Sequence, residues 1–304
     1  TIRNERERNA TAMLAPFMPC GAKLPVIGLF AGAFFDDASW VGTLMYFAGI
    51  VIILLGALLV NLITGNRKKK SYFIMELPEY KAPSFWKAFV SMCQRGWSYI
   101  VKAGTVILVC NAVVFVMQSF DWSFTLVEEG AEKTSILASI ASPIAFLLLP
   151  VVGITAWQLA AAAITGFIAK ENVVGTLAVC FVGLENLIDA EELALMEGAG
   201  ADVAAVFAIS KVAALAYLMF NLFTPPCFAA IGAMNAEIKS KKRLFTGIGI
   251  QLSVGYSIGF LTYFFGTLFT GGSLGKPWMP ILGWAIVILA VSVFTVCIIK
   301  KRKE

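Results

Sequence analysis

The chain has 304 residues, 59% of them hydrophobic and 14% charged, with a mean hydropathy of +0.82. Soluble domains carry roughly 25% charged residues, so this composition belongs to an integral membrane protein and excludes an ordinary water-soluble domain. Histidine is absent, which rules out a His-based metal site, a Ser-His-Asp triad or an HExxH zinc motif within the chain. The net charge of +5 does not point to nucleic acid, because the basic residues cluster beside apolar runs. Six cysteines contain no CxxC pair. Cys110 and Cys297 lie inside apolar runs, where a free cysteine behaves as a small hydrophobe.

In chain order, residues 1–9 are strongly charged and belong in water or among lipid headgroups. Residues 13–35 are apolar enough to enter a bilayer, yet Pro16, Pro19, Gly21, Lys23 and Pro25 forbid one unbroken helix. A proline removes a helix hydrogen bond and clashes with the preceding turn. In lipid the freed backbone groups need partners in protein or in a water-filled cavity. Cys20 sits in the middle of this break, and Asp36 and Asp37 mark the far end. Residues 40–63 make a clean span anchored by Trp40. The basic run 67–70 follows and sets that end in the cytoplasm.

Residues 80–102 mix basic and aromatic side chains and read as an amphipathic helix on the inner membrane surface. Residues 103–120 then span outward to an acidic loop, 121–132. Pro143 and Pro150 interrupt 135–150, which reads as a re-entrant or incomplete span. The long apolar stretch 151–183 holds Lys170, Glu171 and Asn172. A second acidic loop, 185–202, leads into a span at 203–223. That span ends at a second break, Phe223-Thr-Pro-Pro-Cys-Phe-Ala-Ala230. A half-helix at 228–238, a basic run at 239–243, a span at 244–269, a Gly-rich loop at 270–277 and a last span at 279–299 follow. The tail 300–303 is basic. The basic runs lie inside and the acidic loops outside. Residues 135–183 must therefore leave and return to the outer side, as a helical pair or as a re-entrant hairpin. The chain begins with Thr1 and shows no signal peptide, which suggests a fragment starting inside a longer membrane protein.

The chemistry concentrates at the breaks. Proline favours the first position of a helix. If Pro19 and Pro226 each open the half-helix that follows, Cys20 and Cys227 lie at helix N-termini. The positive helix end there favours a thiolate, a soft ligand suited to a transition metal. Carbonyls ending the preceding half-helix add oxygen ligands, as in broken-helix transporters. The competing reading makes both cysteines small residues at tight helix contacts. Ionisable groups inside a span usually face a cavity or one another. Glu171 is thus either an acidic lining group, with Lys170 as its partner or gate, or part of a turn at the membrane surface. Lys23 either gates beside Cys20 or snorkels to the inner face, and Lys211 is a further charge within its span. Asn221 supplies an amide oxygen or satisfies loosened backbone, and Asn235 is assigned the structural role. Met18 and Met234 flank the breaks as filler. The loop at 270–277 lacks phosphate-loop spacing. No catalytic constellation is present, so no enzyme activity is expected.

The stretch Ala15-Pro-Phe-Met-Pro-Cys-Gly-Ala-Lys-Leu-Pro-Val26, just after Arg6-Glu-Arg8, closely resembles the first gate segment of FeoB ferrous-iron transporters, which reads like APFMSCGARLPVY. Glu76-Leu-Pro-Glu-Tyr-Lys-Ala-Pro83 resembles that family's ELPPYRLP linker, and Lys102-Ala-Gly-Thr-Val-Ile107 its KAGTIIL span. Ala169-Lys-Glu171 resembles its AKE segment, and residues 221–230 its second gate. The motifs follow the family's order over nearly the whole chain. Pro19 replaces the usual Ser, and Lys23 the usual Arg.

The resemblance implies an all-α, polytopic transmembrane helix bundle with two broken gate helices. It divides the chain into a first gate segment and following span (1–70), a cytoplasmic linker with an interfacial helix (71–102), a membrane core with the second gate (103–243), and C-terminal spans with a basic tail (244–304). It implies inward movement of Fe2+ across a bacterial or archaeal cytoplasmic membrane. Cys20 and Cys227 match the family's iron-handling gate cysteines, and Pro19, Lys23, Lys170, Glu171, Asn221 and Pro226 are pathway or gating candidates. GTP enters only through a separate GTP-binding domain or subunit, and a small FeoA-like cytoplasmic protein is a further partner. Two alternatives stand beside this reading. One is a gate-fold transporter of a nucleoside-like solute, held by Asn221, Gln158, Glu171 and Thr224. The other is a non-transporting membrane partner fragment.

Overall fold

The computed structural model describes residues 5–35, 39–64, 84–128, 131–181, 188–189, 194–195, 200–224, 226–238, 240–271, 278–288 and 292. The chain is an all-α bundle whose described residues include one two-residue β ladder, Ile188–Asp189 with Ala194–Leu195. Its helices are α1 (Glu5–Leu14), α2 (Leu24–Phe35), α3 (Ser39–Thr64), α4 (Phe85–Ser119), α5 (Ile136–Val152) and α6 (Trp157–Ile168). They continue as α7 (Asn172–Cys180), α8 (Gly200–Phe207), α9 (Lys211–Phe223), α10 (Phe228–Ile238), α11 (Lys241–Thr270) and α12 (Met279–Ile288). Among the described residues four helical stretches are long and apolar enough to cross a membrane, or five if the bent pair α5–α6 counts as one span. Asp36, Asp37, the basic runs at 67–70 and 300–303, the linker motif at 76–83 and most of the loop at 185–202 lie outside the described residues.

Two of the four stretches are broken. Glu7–Phe35 comprises α1 and α2, and Lys211–Ile238 comprises α9 and α10. They run antiparallel, with α1 against α10 and α2 against α9. The two breaks therefore face each other. The largest interface joins α9 to α11, and glycines on α11 make it possible. A Cβ on Gly255 would lie 2.5 Å from the Phe223 carbonyl carbon and the Thr224 nitrogen, and one on Gly259 would lie 2.8 Å from Phe220 Cβ. Small residues four apart let helix backbones approach closely in a bilayer. On the other side of α9, Tyr217 is fully buried among Phe30 and Phe220.

Several expected spans take a different form. The interfacial helix at 80–102 and the span at 103–120 are, from Phe85 onward, one continuous helix, α4. No proline or glycine pair interrupts it, and at 35 residues it is about 52 Å long. Pro143 and Pro150 do not end α5, which runs through both to Val152 and stops at Gly153 with φ 82°. The turn loosened by Pro150 is braced from outside, where the Tyr256 hydroxyl donates to the Leu147 carbonyl at 2.8 Å. The span at 203–223 is split into α8 and α9. Ala208 adopts φ 52°, and the Ser210 hydroxyl accepts from the Ala213 N–H at 3.1 Å to start α9. Lys211 is consequently an exposed first residue of α9 and not a charge within a span.

The alternatives left open for 135–183 resolve into a hairpin. The Thr176 hydroxyl donates to Thr165 Oγ1 at 2.8 Å, and Gly166 packs on Val173, so α6 and α7 lie side by side. At about 18 and 14 Å neither helix crosses a hydrocarbon core of about 30 Å. The two form a helical hairpin with Ala169, Lys170 and Glu171 at its tip. α5 meets α6 at a bend of 98°.

Candidate functional site

Three interruptions of helix meet: residues 15–23, 169–171 and 224–227. In the first, the 3-10 turn Ala15–Phe17 leads to an extended Met18. Cys20, extended at φ −97° and ψ 166°, caps a second 3-10 turn, Gly21–Lys23, which runs directly into α2. In the last, the Cys227 carbonyl accepts from the Ile231 N–H at 3.0 Å, which makes Cys227 the residue on which α10 starts. Both cysteines thus stand at helix starts. Pro19 and Pro226 do not open those helices; each precedes its cysteine and is buried in the break. It is Pro25, the second residue of α2, that takes the first-turn position where a missing N–H costs nothing.

The breaks are joined by two lysines. The last turn of α9 leaves carbonyls without intrahelical partners. The Phe220 carbonyl is taken by the Thr224 N–H at 2.9 Å. Lys170 Nζ, from the hairpin tip, donates to the Asn221 carbonyl at 2.7 Å, to Asn221 Oδ1 at 3.2 Å and to Thr224 Oγ1 at 3.4 Å. Lys23 Nζ, from the first break, donates to the Leu222 carbonyl at 2.7 Å and to the Pro16 carbonyl at 3.2 Å. Both lysines are buried, at 5% exposure for Lys23 and 3% for Lys170. Cations are favoured at the negative C-terminal end of a helix, and these two carry the positive charge that the end of α9 attracts. Each lysine interacts electrostatically with both Cys20 and Cys227, and Lys170 also with Lys23. Cys20 is exposed and Cys227 half-buried, and all five described cysteines are free.

This geometry sorts the sequence expectations. Lys23 does not snorkel to the surface; it is buried between the breaks. Lys170 does not pair with Glu171, and the ion pair found among the described residues is Arg243 with Glu5. Asn221 receives Lys170 on both its carbonyl and its side-chain oxygen, while its Nδ2 is buried without a hydrogen-bond partner. Asn235 stands exposed on α10. Gln158 lines a separate cavity of about 480 Å³ with Glu132, Lys133, Trp157 and Cys180. It sits at the opposite end of α6 from Lys170, so the polar set expected to hold an organic solute is divided. Among the described residues no three His, Cys, Asp or Glu side chains group to hold a metal. The thiols would need backbone or hydroxyl oxygens as co-ligands.

Sequence reasoning missed Gln251. It is buried on α11 and donates to the Met13 carbonyl near the end of α1 at 2.7 Å. It also missed the relay Gln118 Nε2 to Thr176 Oγ1 to Thr165 Oγ1 to the Ala162 carbonyl, and the bond from Asn172 Nδ2 to Asn111 Oδ1 at 2.9 Å. A single amide inside an apolar helix was the available signal, since such groups seek partners across helices in lipid.

Interrupted spans that meet head to head, with charged side chains satisfying the exposed helix ends, define an α-helical membrane protein of the discontinuous-helix class. Residues 43–95 match the family described as "Ferrous iron transport protein B C terminus", and residues 100–241 match the Gate family, described as "Nucleoside recognition". The chain is 30% identical over 279 residues to the Fe(2+) transporter FeoB of Staphylococcus aureus (strain COL), covering 88% of this chain and 38% of that protein. It is 32% identical over 273 residues to the Fe(2+) transporter FeoB of Methanocaldococcus jannaschii, with the same coverage. The corresponding protein of Salmonella typhimurium is 29% identical over 307 residues, covering 86% of this chain and 39% of that protein. No solved structure matches. The chain matches the C-terminal membrane portion of FeoB proteins, and it spans about two fifths of the length of the curated relatives it matches.

Proposed function

We propose that this chain forms the membrane passage of a ferrous-iron importer. The observation that carries the reading is the meeting of two Pro-Cys breaks from antiparallel spans, tied together by Lys23, whose Nζ donates to the Pro16 carbonyl in the first break and to the Leu222 carbonyl beside the second. Thiolates with carbonyl and hydroxyl oxygens make a donor set for a borderline-soft divalent ion such as Fe2+. Cys20 and Cys227 are its metal-handling residues. Pro19, Lys23, Lys170, Glu171, Asn221 and Pro226 shape and gate the path. Its setting is the cytoplasmic membrane of a bacterium or archaeon, with the basic runs inside. A GTP-binding domain or subunit supplies nucleotide dependence, and a small FeoA-like protein is a further partner. The division of the chain at residues 70 and 243 belongs to the same proposal, whereas the expected boundary at 102 falls inside the continuous helix α4.

In the whole uptake system, replacing Cys20 and Cys227 together with Ser at equal membrane abundance is expected to lower iron uptake about tenfold or more. Unchanged uptake would end the role of the thiols. The match to the Gate family keeps a nucleoside-like solute as the second reading. Strong competition by uridine or adenosine, with indifference to an Fe2+ chelator, would favour it over iron.

A further inference from the structure

We infer that the C-terminal end of α9 is itself a cation site, and that Lys23 and Lys170 are its resident occupants, which an ion in transit must displace. The inference rests on reading the chain as a cation passage and adds to it the identity of the gate. Five oxygens form the site: the carbonyls of Pro16, Asn221 and Leu222, Asn221 Oδ1 and Thr224 Oγ1 all receive a lysine ammonium. Backbone and hydroxyl oxygens are also what a cation binds in a broken-helix site.

The two ammonium groups are unusual occupants. They are buried on the carbonyls of the adjacent residues Asn221 and Leu222, and the ion pair found among the described residues, Arg243 with Glu5, involves neither. Burying like charges together without carboxylates is costly in a bilayer, and the oxygens at the end of α9 offset that cost. A divalent ion competes with both Nζ groups for the same carbonyl, amide and hydroxyl oxygens, and it finds the thiols of the two breaks nearby. Each lysine also ties separate pieces together. Lys23 links the first break to α9, and Lys170 links the hairpin tip to α9. Withdrawal of the lysines thus frees the three interruptions from one another in the same event that opens the oxygens to the ion.

The test uses the chain in lipid nanodiscs under anaerobic conditions. Acylation of Lys23 and Lys170 by a small amine-reactive reagent is followed by mass spectrometry with and without Fe2+. Wild-type protein is expected to show acylation of both lysines rising about tenfold on addition of saturating Fe2+. Equilibrium binding of radioactive Fe2+ is measured in parallel. Lys23→Met and Lys170→Met, checked for continued shielding of the buried Cys180 thiol from maleimide, are expected to bind about tenfold more tightly than wild type. Lys170→Arg, which keeps the charge, is expected to bind no more tightly. If wild type binds Fe2+ while neither lysine becomes more reactive, the displacement inference is wrong and the passage reading stands. Shielded Met variants that bind no tighter than wild type would overturn displacement in the same way. If no form of the protein binds Fe2+ at all, both readings fall.

Discussion

Lys23 shows what a single residue does when sequence offers only its charge. A lysine in a proline-rich apolar run reads equally well as a snorkelling side chain or a gate. Its acceptor, the Leu222 carbonyl, lies 199 positions away, and no local pattern carries that information. Gln251 is similar, since its partner Met13 is 238 positions away. The cysteines and prolines were legible as break points because proline acts locally on backbone. Their roles within the breaks were not, since whether Pro19 starts a helix depends on how α3 packs: Gly49 sits against Pro19 and the Phe17 carbonyl. A residue-scale test of the core is Tyr217→Phe, which removes the bond from the buried hydroxyl to the Leu159 carbonyl. Thermal unfolding in detergent is expected to show a loss of about 1 kcal/mol. Thr176→Val cuts the relay between α4 and the hairpin, with an expected loss on the order of 0.6–2 kcal/mol.

At the scale of elements, close approach of α11 to α9 sets the position of the second break. Gly255 and Gly249 lie on the same helix, but only Gly255 faces backbone; nothing lies within 4 Å of a Cβ on Gly249. Gly255→Ala is expected to push α11 off the end of α9, costing about 1–3 kcal/mol and loosening the lysine bonds. Gly249→Ala is expected to be neutral or to stabilise by about 0.5–1 kcal/mol. Equal unfolding temperatures for the two variants would refute this account of the interface. The junction of α8 and α9 gives a second test. Ala208, at φ 52°, holds a conformation that costs an L-residue roughly 1–2 kcal/mol, so Ala208→Gly is expected to stabilise the protein by up to about that amount. The α8–α9 junction was illegible because it contains no proline or glycine. The α6–α7 hairpin was legible only as one of two alternatives, because its turn is built by Ala169, Lys170 and Glu171, none of which punctuates a helix.

For the molecule as a whole, hydropathy and basic runs sufficed for a membrane bundle and two broken spans, because lipid imposes length and backbone satisfaction on any chain that crosses it. The antiparallel pairing of those spans came only from the structure. The pairing puts α1, α10 and the start of α11 together, with Glu5 bonded to Arg243 at 2.7 Å, and on the proposed orientation that end faces inside. With that orientation, a membrane-impermeant maleimide is expected to label Trp122→Cys in intact cells and Glu237→Cys only after permeabilisation. Reversal of the two results would invert the topology. Both side chains of the Glu5–Arg243 pair are more than half exposed, so Glu5→Gln is expected to change stability by less than about 1 kcal/mol.

The breaks fall near the middle of spans of 29 and 28 residues, and that depth has an electrical consequence. An ion arriving at the meeting point from outside has already traversed about half of the voltage drop across an energised membrane. For two elementary charges this amounts to about 2.3 kcal/mol per 100 mV. On the proposed passage, an inside-negative potential therefore draws divalent ions toward the interrupted helices.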